Sequence, residues 1–237
     1  TMAFMEIFIL LAILSLLGAF FVFRQAPKGD AVLLIGLPNT GKTSYWFQVM
    51  GRTSVETHTS MKENARLLPP DGAPSSFKHK KINLVDIPGH FRLRSLILKP
   101  YLNQARAIVF FVDSLDFTQS LSSCAELMYS LLTNAVLVQE AVPLMVACNK
   151  RDDDLAYKMV TIKNKLEVEL NQIRKSKKNE VSSLGQGDDE DVTVVPLGVD
   201  SHPFDFDTQA PVPMFWCESS VKEGKTSGIT DWIWTIC

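Results

Sequence analysis

Eight consecutive residues restrict this chain more than its composition does. Gly36, Leu37, Pro38, Asn39, Thr40, Gly41, Lys42 and Thr43 spell G-x-x-x-x-G-K-[ST]. The run before them, residues 31–36, is apolar throughout and reads as a buried strand; residues 42–50 read as a helix. A strand, a glycine-bearing turn and a helix in that order make a phosphate-binding loop. The glycines let the backbone wrap phosphate, and the loop N–H groups and helix N-terminus face negative charge. Lys42 is placed to reach β- and γ-phosphates, the Thr43 hydroxyl to bind Mg2+, and the cradle continues through Ser44.

Further apolar runs recur at residues 82–86, 107–113, 142–148 and 214–218, with helical patterns at 117–138, 158–175 and 227–236 between and after them. Strands and helices in alternation imply a mostly parallel sheet covered on both faces. Trp216, Trp232 and Trp234, beside the last strand and in the last helix, are expected in the core. Residues 176–191, polar and rich in Ser and Gly, read as a mobile surface loop whose basic and acidic halves largely cancel.

The remaining chemistry sits at strand ends. Asn149, Lys150, Arg151 and Asp152 form N-K-x-D about a hundred residues after the phosphate loop. The Asp152 carboxylate can accept hydrogen bonds from guanine N1–H and N2–H2, which adenine lacks, and a wrong base leaves it unpaired. Asp86, Ile87, Pro88 and Gly89 form D-x-x-G: Asp86 is expected to hold Mg2+ through water, and the Gly89 amide to sense the γ-phosphate. His90 follows, where many small GTPases carry the glutamine that orients attacking water; it is the catalytic candidate, against the plain reading of a surface histidine. Ser220, Val221 and Lys222 resemble the loop that closes over guanine, with the Val221 N–H meeting guanine O6. The first switch segment is expected between Met50 and Arg66, with Thr57, His58, Thr59 and Ser60 at the nucleotide. Thr53, Thr57 and Thr59 each offer a second hydroxyl to Mg2+, and Thr59 is favoured. After D-x-x-G, one helix cannot bury Leu93, Leu96, Ile97 and Leu98 together. Leu93 and Ile97 are expected inward, the others scattered outside or joined in an apolar patch when GTP is bound.

A formal net charge of −2, from 24 basic and 26 acidic residues, gives no footing for direct nucleic-acid binding. The four cysteines lie far apart and form no metal-ligand spacing; Cys148 ends an apolar run and reads as core. Residues 7–23 are apolar throughout apart from Ser15 and Gly18, and as helix would span about 25 Å. Extended back to Met2, the segment fits a bilayer core of about 30 Å. Arg24 and Lys28 beyond it place that end in the cytosol. The expected organisation is a transmembrane anchor and linker over 1–29, then a nucleotide-binding domain over 30–237.

With these motifs in place the chain resembles the signal recognition particle receptor beta subunit family. The likeness rests on the N-terminal span, the DIPGH element, ARAIVFFVDS, ACNKRD, the helix KLEVELNQIRKSKK and the FDF segment at residues 204–206. It implies an α/β P-loop small-GTPase fold, with a mostly parallel six-stranded sheet, helices on both faces and one preceding transmembrane helix. It also implies GTP and Mg2+ as ligands, a single-pass endoplasmic reticulum anchor with the GTPase domain cytosolic, and a partner, the N-terminal domain of the receptor alpha subunit. An Arf-like GTPase recruiting vesicle coats is the alternative.

Overall fold

Sequential burial divides the strands into those at the centre of the sheet and those at its edges. The computed structural model describes residues 29–51, 62–68, 81–184, 195–199 and 201–236. Its strands are β1 (Ala31–Gly36), β2 (Asn64–Leu67), β3 (Asn83–Asp86), β4 (Ala105–Asp113), β5 (Leu144–Asn149) and β6 (Met214–Glu218). They form one sheet in the order β2-β3-β1-β4-β5-β6. All pairings are parallel except β2 with β3. β1 and β5 are buried along their whole length, as continuous apolar runs in a covered parallel sheet should be.

The helices are α1 (Lys42–Val49), α2 (Phe91–Leu102), α3 (Phe117–Leu132), α4 (Ala135–Gln139), α5 (Met159–Leu184), α6 (Phe206–Gln209) and α7 (Ser227–Ile236). Alternate side chains of β1 supply the two cores. Leu33 and Ile35 pack with Leu98 of α2, Phe117, Met128 and Leu132 of α3, and Ile162, Leu166 and Leu170 of α5. Val32 and Leu34 pack on the other face with Tyr45 and Trp46 of α1 and Ile229, Trp232 and Trp234 of α7. The crossovers required by parallel pairing thus cover both faces. The FDF segment packs edge-to-face, Phe204 on Phe206 and Phe206 on Trp216, with ring centroids 5.1 Å apart in each case.

Four expectations are corrected. β2 has no counterpart among the apolar runs, because Ala65, Arg66 and Leu67 are exposed on an edge strand paired on one side only. The helix expected over 117–138 breaks at Thr133: the Thr133 hydroxyl bonds back to the Tyr129 carbonyl, and the Asn134 side chain caps a new helix by accepting from the Leu137 N–H. The loop expected over 176–191 is helical through Leu184. Lys, Asn, Glu, Val and Ser carry α5 on, and the first glycine of the stretch is Gly185, outside the described residues with 186–194. On α2 Leu98, expected outside, is buried in the core, while Ile97 packs partly buried against the same core as expected and Leu93 is half-buried. The apolar stretch at 7–23 and Cys237 lie outside the described residues. Among the described residues no helix is long and apolar enough to cross a membrane.

Candidate nucleotide-binding site

The turns leaving the C-terminal ends of β1, β3, β5 and β6 meet at one edge of the sheet, the crevice where open α/β sheets bind ligands. The phosphate loop comes first. Asn39 and Gly41 take positive φ, 61° and 93°, and Gly41 is the N-cap of α1. A Cβ at Gly41 would lie 2.2 Å from the Asn149 amide nitrogen, so only glycine fits there. The buried Lys42 ammonium donates to the Leu37 carbonyl at 2.6 Å and the Thr40 hydroxyl at 3.2 Å. Burial pulls its pKa down to about 8, against a smaller opposing pull from Asp86. An ammonium so poorly solvated favours a phosphate oxygen.

Thr43 and Asp86 meet as the motifs require. The Thr43 hydroxyl donates to Asp86 Oδ2 at 2.7 Å, and the Asn64 amide of β2 donates to the same oxygen at 3.3 Å. Asp86 is fully buried, yet its Oδ1 has no hydrogen-bond partner among the described residues. Burial pushes its pKa up, opposed by the Thr43 bond. A buried carboxylate oxygen without a donor needs a cation or cation-bound water. A hydroxyl that donates to a carboxylate keeps its lone pairs for metal. Thr43 and Asp86 therefore fit Mg2+; Thr53, Thr57, His58, Thr59 and Ser60 lie outside the described residues.

Gly89 packs directly on the phosphate loop, where a Cβ would come within 2.6 Å of the Pro38 nitrogen. The following His90 is exposed, caps α2 by its backbone, and lines a cavity of about 480 Å3 with Pro38, Gly89, Phe91, Arg94 and Leu127. Arg94 is buried and donates from Nη1 to the Gly89 carbonyl at 3.1 Å, its guanidinium 5.8 Å from the Phe91 ring centroid.

The base side is built by protein–protein bonds. Asn149 donates to the Thr40 carbonyl at 2.8 Å, and its Oδ1 accepts from the Val221 N–H at 3.0 Å. The Val221 N–H, expected to meet guanine O6, donates here to Asn149. Lys150, at φ 66°, pairs with Asp113 at the end of β4. Asp152 accepts from the Ser220 hydroxyl at 2.7 Å, and Lys222 lies 3.4 Å from its other oxygen. The Ser220 bond holds its carboxyl below the usual carboxylate range. The carboxylate is thus held ionised, as a hydrogen-bond acceptor.

Sequence reasoning missed Asn64, Arg94 and Asp113. Asp113 carried a readable signal, an acidic residue closing an apolar strand as Asp86 does. Asn64 and Arg94 carried none, since strand pairing and helix packing alone bring them to the site.

Fold, phosphate loop and paired strand-end motifs define a P-loop protein of the small-GTPase class, Arf-like in architecture. The model of the signal recognition particle receptor beta subunit family matches residues 27–210. The Homo sapiens beta subunit is 31% identical over 195 residues, covering 82% of this chain and 69% of the relative. The solved mammalian SRP receptor matches with TM-score 0.71 at 27% identity, over 87% of this chain and 100% of that one. Two structures from Chaetomium thermophilum share the fold at 21% identity. The SRb-GTP/SRX complex has TM-score 0.67 over 88% and 98% of the two chains, and SRb-GDP-Mg has 0.64 over 90% and 100%. The chain belongs to the signal recognition particle receptor beta subunit family.

Proposed function

We propose that this chain is a guanine-nucleotide switch. Residues 1–29 anchor it in the endoplasmic reticulum membrane, and from residue 30 onward it binds GTP and Mg2+ and, in that state, holds the receptor alpha subunit for co-translational targeting. The observation that carries the reading is the Thr43–Asp86 bond with its partnerless Oδ1, which joins phosphate loop and D-x-x-G element at one cation site. Thr43 and Asp86 would hold Mg2+, which would neutralise phosphate charge when bound. The chain's own residues do the rest. Lys42 and the loop N–H groups hold phosphate, Asp152 selects the base, and Gly89 on the phosphate loop carries γ-phosphate occupancy into α2. Phe91 and Leu96 of α2, 72% and 75% exposed, and Leu67 of the paired edge strand supply apolar surface for the alpha subunit's N-terminal domain. His90 stands at the cavity mouth as the candidate to orient water. The coat-recruiting Arf reading is less supported, because the family match spans most of the chain.

The test is titration of the alpha-subunit domain against GTP- and GDP-loaded protein. A ligand shifts a switch only by its differential affinity for the two states, so the GTP complex should be at least about tenfold tighter. Equal affinities refute the switch.

A further inference from the structure

The Asp86 carboxylate is asymmetric. Oδ2 takes two donors, the Thr43 hydroxyl and the Asn64 amide, while Oδ1 is left for the cation. Asn64 stands directly opposite Asp86 in the β2–β3 register, so the two side chains leave the sheet on the same face. Asparagine is disfavoured in strands, and the rest of β2 is exposed. Packing does not explain its presence; the bond to Asp86 does. An amide nitrogen offers only donors, so it cannot ligate the metal, but it can fix which carboxylate oxygen does.

We propose that Asn64 is the positioning residue of the Mg2+ site: it saturates Asp86 Oδ2 together with Thr43 and turns Oδ1 toward the cation. The proposal rests on the nucleotide–Mg2+ reading given above. Groups that hydrogen-bond a metal's ligands typically contribute 10–100-fold to metal affinity. A 3.3 Å bond from a half-buried side chain belongs at the lower end of that range. Because Asn64 is part of β2, the coupling runs both ways: cation binding steadies the edge strand, and the strand's pairing sets cation affinity.

The experiment measures release of a fluorescent GDP analogue from the full chain in detergent across a Mg2+ titration, with an EDTA limit. In the unaltered chain Mg2+ should slow release. Asn64→Ala and Asn64→Leu should each raise the Mg2+ concentration for half-maximal slowing about tenfold while leaving the EDTA rate nearly unchanged. Hydrogen exchange supplies a second readout. Mg2+ added to the GDP-bound chain should protect the amides of Arg66 and Leu68, which face β3 in the antiparallel ladder, and should protect them less in the variants. An unmoved Mg2+ midpoint overturns the proposal. So does an EDTA rate that rises as much as the Mg2+ rate, which would leave Asn64 a strand-holding residue only. If Mg2+ does not slow release from the unaltered chain, the nucleotide–Mg2+ reading itself fails and the proposal with it.

Discussion

Replacing Asn149 by Ala should break the joint between the two halves of the site. Its side chain is 2% exposed and makes bonds in opposite directions: to the Thr40 carbonyl of the phosphate loop at 2.8 Å, and from the Val221 N–H after β6 at 3.0 Å. Alanine leaves one carbonyl and one N–H without these partners. Unsatisfied buried groups cost about 1–3 kcal/mol each, and Val221 is half-buried and recovers some of that from water, so a total of roughly 2–4 kcal/mol is expected. Freed from Asn149, the phosphate loop and the 219–221 turn no longer hold a fixed spacing, and nucleotide affinity should fall about 10- to 100-fold. Urea unfolding followed by tryptophan emission gives the first quantity and nucleotide titration the second. Asn149→Asp is the control. It keeps the acceptor for Val221 but sets a carboxylate oxygen against the Thr40 carbonyl, and should destabilise at least as much as alanine. A loss below about 1 kcal/mol for Asn149→Ala would show that these bonds are no better than those to water.

Two further outcomes follow from the same geometry. Asp152→Asn reverses the donor–acceptor pattern offered to the base, so guanine nucleotides should weaken at least about a hundredfold and xanthine nucleotides gain, read by competitive binding. Lys42, lowered by burial to about 8 in the nucleotide-free fold, is re-charged by bound phosphate, so binding takes up a proton above that pH. Affinity should be level below pH 8 and about tenfold weaker at pH 9, with proton uptake visible in calorimetry. The lowered value carries the opposite sign for the free fold: the unfolded chain binds more protons between 8 and 10.5, so nucleotide-free stability should rise with pH across that window.

Much of this site was legible because its residues sit at strand ends and helix starts, where local chemistry speaks directly. The phosphate loop is contiguous, and Asp86, Asn149 and Asp152 each close or follow an apolar strand. What was not legible depends on long-range packing. Asn64 lies in a strand with no apolar alternation, defined only by its pairing with β3. Arg94 is a charged residue on an α2 face that the hydrophobic pattern assigns to water; tertiary contact buries it against Gly89. The inward face of α2 was read only in part for the same reason, since Ile97 packs on the core as expected but Leu98 is buried there too. The polar stretch past residue 175 was read by composition, and composition does not exclude helix until glycine intervenes.

The two halves of the site are held differently, and this separates base selection from switching. On the base side the protein satisfies itself: Asn149 with Thr40 and Val221, Lys150 with Asp113, Asp152 with Ser220. On the phosphate side groups wait: Asp86 Oδ1 has no partner among the described residues, and the Lys42 ammonium is folded onto its own loop. Nucleotide state should therefore act through the second half, and the link from there to the exposed Phe91 and Leu96 is Arg94. Its guanidinium holds the Gly89 carbonyl and lies near the Phe91 ring, tying the start of α2 to the residue packed on the phosphate loop. Arg94→Lys keeps the charge and loses the planar donor fork, so it should loosen that tie without emptying the site. The expected result is unchanged preference for GTP over ATP with a several-fold smaller ratio of GTP-state to GDP-state affinity for the alpha-subunit domain, since a neutral-acceptor bond to a charged donor is worth about 1.5–3 kcal/mol and lysine recovers part of it. Both ratios come from one set of titrations on the variant and the unaltered chain. If base preference falls while the state ratio holds, the division between the two halves is wrong, because Arg94 would then act on the side of the site that Asn149 and Asp152 build.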